Sequence, residues 1–375
     1  MTASPHWGEP PWRVEPAPEP GPLPARCEVA VVGGGFTGLA TAYQLARQGK
    51  DVVLLEARRL GSGASGRTGG IVLEDTSAGP LPQTDDCIGS LQHTLQAASI
   101  ECDLDLPGCW ELAHATSGTR LWRDAERNLV RQDTVPGGTL DPGKLLSGLA
   151  AAAREEGAAF HEHALVQGIS GGGPLRLEVG GTELRADHVV LGLNAYTGAL
   201  ISPGDDFHPA LTLALCSEPL PAGTLEALGL GGGHAFYTLD MPYLWGRPLE
   251  RERVIFGGGL AFDASRRVER IDLRTPEVAR SLAQLEQRVR GLHPGLAEVR
   301  IARRWGGPVA FRSSRTPILA RHPTLAGLIL SGAYAGHGVA LSVRVAELAA
   351  RAILEGGSLP AWGELEPSSE TREVG

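Results

Sequence analysis

Residues 28–56 of this chain read EVAVVGGGFTGLATAYQLARQGKDVVLLE, and this stretch constrains the fold most tightly. Glu28 to Val32 is a short run rich in β-branched apolar residues that ends in glycines, which predicts a buried strand and a tight turn. Leu39, Ala42, Tyr43 and Ala46 then recur at helical spacing on one face, and Gly49 stands where a helix stop belongs. Asp51 to Glu56 supplies a second buried strand. The whole is a βαβ unit of the expected length of about 30 residues.

Gly33, Gly35 and Gly38 form G-x-G-x-x-G between that first strand and its helix, with Phe36 and Thr37 at the helix opening. The spacing has a physical meaning. Gly33 allows the tight turn, Gly35 lets the backbone approach a pyrophosphate, Gly38 allows close helix packing, and the helix N-terminus attracts phosphate. Glu56, at the end of the second strand, is placed to accept hydrogen bonds from ribose hydroxyls. These residues predict a dinucleotide cofactor. Glycine is 51 of 375 residues, roughly twice its usual share of about 7%, and it clusters in short loops between apolar runs, as in a nucleotide-binding α/β protein.

Charge and cysteine usage narrow the partners. With 43 acidic and 34 basic residues the formal charge is −9, so nothing draws the chain to nucleic acid. Only two lysines occur, Lys50 and Lys144. The five cysteines show neither CxxC spacing nor a histidine at zinc-site spacing, so no metal is expected and the thiols fit a reducing cytosol. No apolar run approaches the roughly 18 residues of a membrane helix and the N-terminus lacks a signal-peptide layout, which predicts a cytoplasmic protein with no membrane span. The oligomeric state is left open. Residues 1–24 are proline-rich and should run extended over the surface, either anchored by Trp7 and Trp12 or as a loose tail.

Downstream, a helix is expected over Leu140–Gly157 with Asp141 as N-cap and Pro142 at its first position. It is followed by a strand around HALVQGI, a hairpin over Leu175–Asp187 turning at Gly180 and Gly181, and the buried strand HVVLGL. A second amphipathic helix covers Thr275–Gly291. Near the C-terminus GLILSGAY runs from strand to loop, and GHGVALSVRVAELAARAILEGG is a closing helix. The predicted fold class is α/β: a Rossmann-like cofactor domain over 27–75, 141–202 and 320–366, with an inserted α+β substrate domain over 76–140 and 203–319. Residues 1–26 form the N-terminal segment and 367–375 a tail.

The segment after Glu56, ARRLGSGASGRTGGIV, is a second glycine- and serine-rich loop, suited to a cofactor with a long extended body. Taken with VVGGGFTGLATAYQLARQG, LEARRLGSGASGRTGG and SGAYAGHGV, in that order, the chain resembles the FAD-dependent D-amino-acid oxidase superfamily, glycine/sarcosine oxidase-like, and its gamma-glutamylputrescine oxidase-like branch most of all. The similarity extends through LDPGKLLSGLAAAAREEGAAFHEHALVQGI, VVLGLNAYTG and WGGPVAFRSSRTPIL.

The resemblance implies FAD as cofactor and a set of contacts to it. Ala57 and either Arg58 or Arg59 would lie near the adenosine, and Val166 would meet the adenine through its backbone. Ser62, Ala64, Ser65, Gly66, Thr68 and Gly69 would line the pyrophosphate and ribityl regions, with Asn194 and Ala195 in the loop after their strand. Gly336, His337, Gly338 and Val339 would approach the pyrimidine end of the flavin from a helix N-terminus, where reduced flavin carries negative charge. His337 is then a flavin-contacting group rather than a base. Arg67 would face the flavin to stabilise its anionic reduced form or hold a substrate carboxylate, or else brace its loop through a salt bridge. Tyr237, Tyr243, Trp245 and Arg247 are concentrated in AFYTLDMPYLWGRPLE, which the resemblance places over the flavin as the amine-holding wall.

Two departures bear on the chemistry. Arg312, Ser313 and Ser314 stand where some family members attach flavin through cysteine, so FAD should be noncovalent. Neither lysine suits the oxygen-activating role that sarcosine-oxidase relatives give one. The expected activity is oxidation of the CH–NH bond of a small amine or amino acid to an imine, with molecular oxygen as acceptor. The alternatives are a dehydrogenase that uses a quinone or carrier, and a catalytically silent flavin-binding scaffold.

Overall fold

The computed structural model describes residues 5–17 and 21–365, so the expected tail at 367–375 lies outside the described residues. The chain begins with β1 (Arg26–Val32), α1 (Phe36–Ala46), β2 (Val52–Leu55) and β3 (Ile71–Leu73). Next come α2 (Cys87–Ala97), β4 (Cys109–Ala115), β5 (Arg120–Asp124), β6 (Arg127–Val135), β7 (Gly137–Thr139) and α3 (Pro142–Glu155). They are followed by β8 (Ala159–His161), β9 (Val166–Ser170), β10 (Leu175–Val179), β11 (Thr182–Leu191), β12 (Phe207–Ser217) and the single turn α4 (Thr224–Ala227). The remainder is β13 (Ala235–Thr238), β14 (Leu244–Leu249), β15 (Arg253–Ala261), α5 (Pro276–Leu292), β16 (Ile301–Arg312), β17 (Ile318–Arg321), β18 (Leu328–Gly332) and α6 (Ala340–Leu354).

Unbroken apolar strands with no alternation belong in a parallel sheet covered on both faces. The first sheet is built this way, in the order β17-β18-β11-β1-β2-β8 with the β9–β10 hairpin on β11. β18, β11, β1, β2 and β8 run parallel, so Val31 lies between Leu54 and Val190. The turn between β10 and β11 holds Gly180 at φ 57° and Gly181 at φ 85°, left-handed geometry that glycine adopts without strain. α1, α3 and α6 share one apolar core with β1 and β2, through Leu39, Leu45, Leu149 and Val343 among others. The single apolar face expected for α1 is too narrow a reading, because this helix is sandwiched between the sheet and its neighbours and buries every residue except Gln44. The closing helix also starts later than the sequence suggests. It begins at Ala340, leaving Gly336–Gly338 in the turn before it, where Ala335 (φ 50°) and Gly336 (φ 88°) are left-handed.

The second sheet runs β16-β12-β15-β14-β13-β4-β6-β5, with β13 and β4 as its parallel pair. Trp122 packs edge-on to Phe236 at 4.7 Å, and Val278, Leu282, Leu285 and Val289 of α5 cover the same core. These four residues form the buried stripe of the amphipathic helix expected over Thr275–Gly291. A small antiparallel pair, β3–β7, stands apart from both large sheets.

The described part of the N-terminal segment is anchored rather than loose. Trp7 and Trp12 are buried, their indoles donate to Ile271 O and Gly66 O at 2.6 and 2.8 Å, and Gly8 forms a bridge to Trp305 of β16. Glu15 N donates to Ser147 Oγ of α3, so this segment ties elements of the first sheet to the second. Among the described residues no helix is long and apolar enough to cross a membrane.

Candidate active site

A cavity of about 1130 Å³ runs from the first βα turn to the wall formed by β13 and β14. It exceeds the usual size of a small-molecule site, about 300–1,000 Å³, so a cofactor and a substrate fit together.

The glycines at its inner end are there for close approach. A Cβ at Gly33 (φ 111°) would stand 2.7 Å from Gly192 O, and one at Gly38 only 1.9 Å from Gly33 O. Gly33, Gly35, Phe36 and Thr37 line the cavity, whereas Gly38 lies behind them and lets α1 sit against the turn. Ser65 Oγ accepts from Phe36 N at 2.9 Å, joining the two glycine-rich loops. The Glu56 carboxylate accepts from Gly34 N and from Arg58 N, both at 2.8 Å, which fixes it at the end of β2. Burial pushes its pKa up and these two amides oppose that shift.

The cavity continues past Ala57, Arg58, Ala64, Ser65, Thr68 and Gly69. Arg58 donates to Tyr196 Oη at 2.7 Å and stacks over the same ring, while burial pushes the Tyr196 hydroxyl up to about 12. Val166, Asn194 and Ala195 line it as well. Asn194 Oδ1 accepts from Ala333 N at 3.0 Å, coupling the loop after β11 to the loop after β18. Gly336, His337, Gly338 and Val339 complete that side. Nothing lies within 4 Å of a Cβ built on Gly336, so this turn opens onto free space. The His337 imidazole is held below the ordinary histidine range by burial, and its Nδ1 is 3.2 Å from Ala335 O.

Three sequence-predicted contacts are placed off the cavity. Arg59 is exposed, Gly66 is packed against Gly61 O, and Ser62 Oγ accepts from Arg59 N. All three serve the loop's own conformation. Arg67 lines the cavity, but its Nη1 donates to Trp7 O, Gly8 O and Gly306 O at 3.3, 2.9 and 3.2 Å, and its guanidinium stacks on Trp7. The bracing is therefore by backbone carbonyls, not by a salt bridge.

On the substrate side Tyr237, Tyr243 and Trp245 line the cavity. The Trp245 indole lies so close to Gly69 and Gly257 that a Cβ at either would meet it within 2.3 Å. Arg247 does not line the cavity. It shares a strand face with Trp245 but lies about 7 Å farther along, buried beneath Trp12, where burial lowers its pKa to about 10 and its Nε and Nη2 have no hydrogen-bond partner among the described residues. Glu111 of β4 was not read from the sequence. It lines the cavity and accepts from Tyr237 Oη at 2.5 Å. Tyr196 and Tyr334 were also missed; Tyr334 Oη is 2.9 Å from Thr37 Oγ1, closing the cofactor end.

These features fit FAD. The glycine cradle, the anchored Glu56 and the open turn at Gly336 offer backbone approach at both ends of an extended body, and polar loop groups alternate with an apolar wall. No cysteine is among the cavity residues, and all five are buried free thiols. No group of side chains suited to a metal occurs among the described residues.

A parallel sheet with a glycine-built first turn, joined to a second sheet across one cavity, defines a two-part dinucleotide-dependent oxidoreductase. The chain belongs to the FAD dependent oxidoreductase (DAO) family, whose model matches residues 28–136 and 134–352. It is an FAD-dependent oxidoreductase. Gamma-glutamylputrescine oxidoreductase of Escherichia coli is 28% identical over 88% of this chain and 83% of its own length. The probable oxidoreductase OrdL of Rhizobium meliloti is 26% identical over 84% and 80%. In fold, glycine oxidase of Geobacillus kaustophilus superposes with a TM-score of 0.74 at 19% identity, covering 92% of this chain and 99% of that one. L-Proline dehydrogenase of P. horikoshii gives 0.73 at 18%, covering 94% and 99%.

Proposed function

We propose that the enzyme oxidises the CH–NH bond of a small amine or amino acid to an imine, with molecular oxygen as the electron acceptor and hydrogen peroxide as the product. The observation that carries this reading is the single cavity running from the glycine turn to the Tyr237–Trp245 wall. FAD bound there supplies a two-electron acceptor for the C–H bond beside the amine nitrogen. The chain's own part is positional. Trp245 and Tyr243 wall one side of the substrate space, Tyr237 and Glu111 present polar atoms to it, and Arg67 adds positive charge at the loop between the two ends. His337 stays neutral near pH 7 because burial holds its pKa low, so it offers a hydrogen bond rather than a charge.

We assign residues 27–75, 141–202 and 320–366 to the cofactor domain and 76–140 with 203–319 to the substrate domain; the strands of the two large sheets support this division, whereas α2 packs into the core of α1, α3 and α6. The absence of cysteine from the cavity supports noncovalent FAD, and five free buried thiols support a cytoplasmic enzyme. One observation favours a second reading, a dehydrogenase that passes electrons to a quinone or carrier. Lys50 and Lys144 are paired with Glu28 and Asp103 at 3.0 and 2.7 Å, and neither lines the cavity. Assaying the holoenzyme on one amine with oxygen and with a quinone dye separates the two. Peroxide formed in step with amine consumption supports the oxidase; turnover that needs the dye refutes it.

A further inference from the structure

Most charged groups around the cavity already have partners. Of its carboxylates, Glu56 is held by two backbone amides, Glu74 by Cys87 N and Ile88 N, and Glu269 by Arg267, while Asp75 is exposed to solvent. Of its arginines, Arg58 is bound to Tyr196, Arg67 to three carbonyls, Arg312 to Asp206, while Arg315 is exposed. Glu111 is different. It is half-buried, and among the described residues it makes no ion pair and one hydrogen bond, from Tyr237, which engages Oε1. Oε2 has no partner there. A carboxylate fixed through one oxygen in a cavity wall offers the other to a cationic ligand for a charge-assisted contact.

The surroundings indicate what else that ligand carries. Leu239, Met241, Tyr243 and Leu260 line the cavity, yet they are 55%, 72%, 36% and 43% exposed, an unusual group of large apolar side chains open to solvent. Leu239 is beside the Tyr237–Glu111 pair, since its N donates to Leu112 O at 2.8 Å. A hydrophobic chain entering there would cover these four side chains.

We propose that Glu111 is the specificity-determining residue: it holds the ammonium group of a substrate amine whose apolar substituent lies along Leu239, Met241, Tyr243 and Leu260. This rests on the amine-oxidising reading above and narrows it to cationic amines with a hydrophobic chain. Tyr237 is a positioning residue, since its hydroxyl fixes Oε1 and so aims Oε2. Charge-assisted hydrogen bonds of this kind contribute about 10- to 100-fold in affinity.

The test uses binding to the holoenzyme, read from perturbation of the flavin spectrum, with three probes that cannot be oxidised to an imine: 1,1-dimethylhexylammonium and tert-butylammonium, which keep N–H donors but have no hydrogen on the carbon beside nitrogen, and hexanoate. Wild type should bind the dimethylhexyl cation at least about tenfold more tightly than either of the others, given the value of one such charged contact. Glu111→Gln should lose about 10- to 100-fold for the dimethylhexyl cation while hexanoate binding holds or improves. Tyr237→Phe should lose less. Equal or tighter binding of hexanoate by wild type overturns the charge assignment, as does unchanged cation binding by Glu111→Gln. Equal binding of the two cations overturns the apolar contact. If Glu111→Gln fails to retain FAD, the wild-type comparison and Tyr237→Phe still decide. A failure of the amine-oxidising reading shows separately, as no flavin reduction by any amine whatever the probe preferences.

Discussion

Gly38→Ala tests the cofactor cradle with a single methyl group. The added Cβ would lie 1.9 Å from Gly33 O, a backbone atom that cannot swing aside, and about 1.5 Å short of an ordinary contact. Either α1 backs away from the turn or the turn itself opens, and Gly33 is closed in by Gly192 O on its other side. Overpacking of this sort costs about 1–3 kcal/mol. Because the strain falls on the turn that must fit the pyrophosphate, it should appear as about 5- to 150-fold weaker FAD binding. The assay is titration of stripped apoprotein with FAD, followed by flavin fluorescence. Gly291→Ala is the control, since it lies on α5 with nothing within 4 Å of the new Cβ; it should leave FAD affinity unchanged and melt no lower than wild type. An FAD affinity for Gly38→Ala within about twofold of wild type, far below the range expected from overpacking, would refute the argument that this glycine sets the cradle.

Three other outcomes are expected. Arg67→Ala takes a donor from Gly8 O and Gly306 O, whereas Trp7 O keeps Gly306 N at 2.8 Å, so it should lower stability by about 1–3 kcal/mol, seen as a lower melting temperature. It should also slow anaerobic flavin reduction per bound FAD by about 10²- to 10³-fold, and an unchanged rate in the surviving holoenzyme would leave Arg67 a brace only. Heat-denatured protein should release intact FAD into the supernatant, because no cysteine lines the cavity; flavin retained by the precipitate contradicts this. Burial holds the pKa of His161 below the ordinary histidine value, so the unfolded chain binds its proton more readily. Stability should therefore be full above about pH 6.5 and fall as the pH drops below it, and His161→Asn should flatten that slope in melting curves; a slope unchanged by the substitution argues against it.

What could be read from the sequence was what local chemistry encodes. Gly33, Gly35, Gly38 and Glu56 act within one βαβ unit, where turn, helix and strand follow each other directly, and the N-cap of α3 by Asp141 is a contact over three residues. Asn194 and the Gly336 turn came through resemblance, since nothing local says that loops 139 residues apart will meet. Glu111 carried no signal. Its role depends on Tyr237, 126 residues away on a strand that pairs in parallel with its own. Tyr334 was hidden for the same reason, 297 residues from Thr37. Arg247 misled because proximity in sequence to Trp245 was taken as proximity to the cavity, although a strand moves on about 3.3 Å per residue. The N-terminal segment has no periodicity to read, and its anchoring depends on carbonyls of residues 66 and 271 that only the fold brings beneath the two indoles.

The central claim is that this cavity holds an FAD that amines reduce directly. Mixing the holoenzyme anaerobically with a panel of primary and secondary amines and amino acids, while following the oxidised-flavin absorbance in a stopped-flow instrument, tests it in one measurement. Saturable bleaching by at least one amine is expected, fastest for cationic amines with an apolar chain. A flavin that stays oxidised against the whole panel would contradict it.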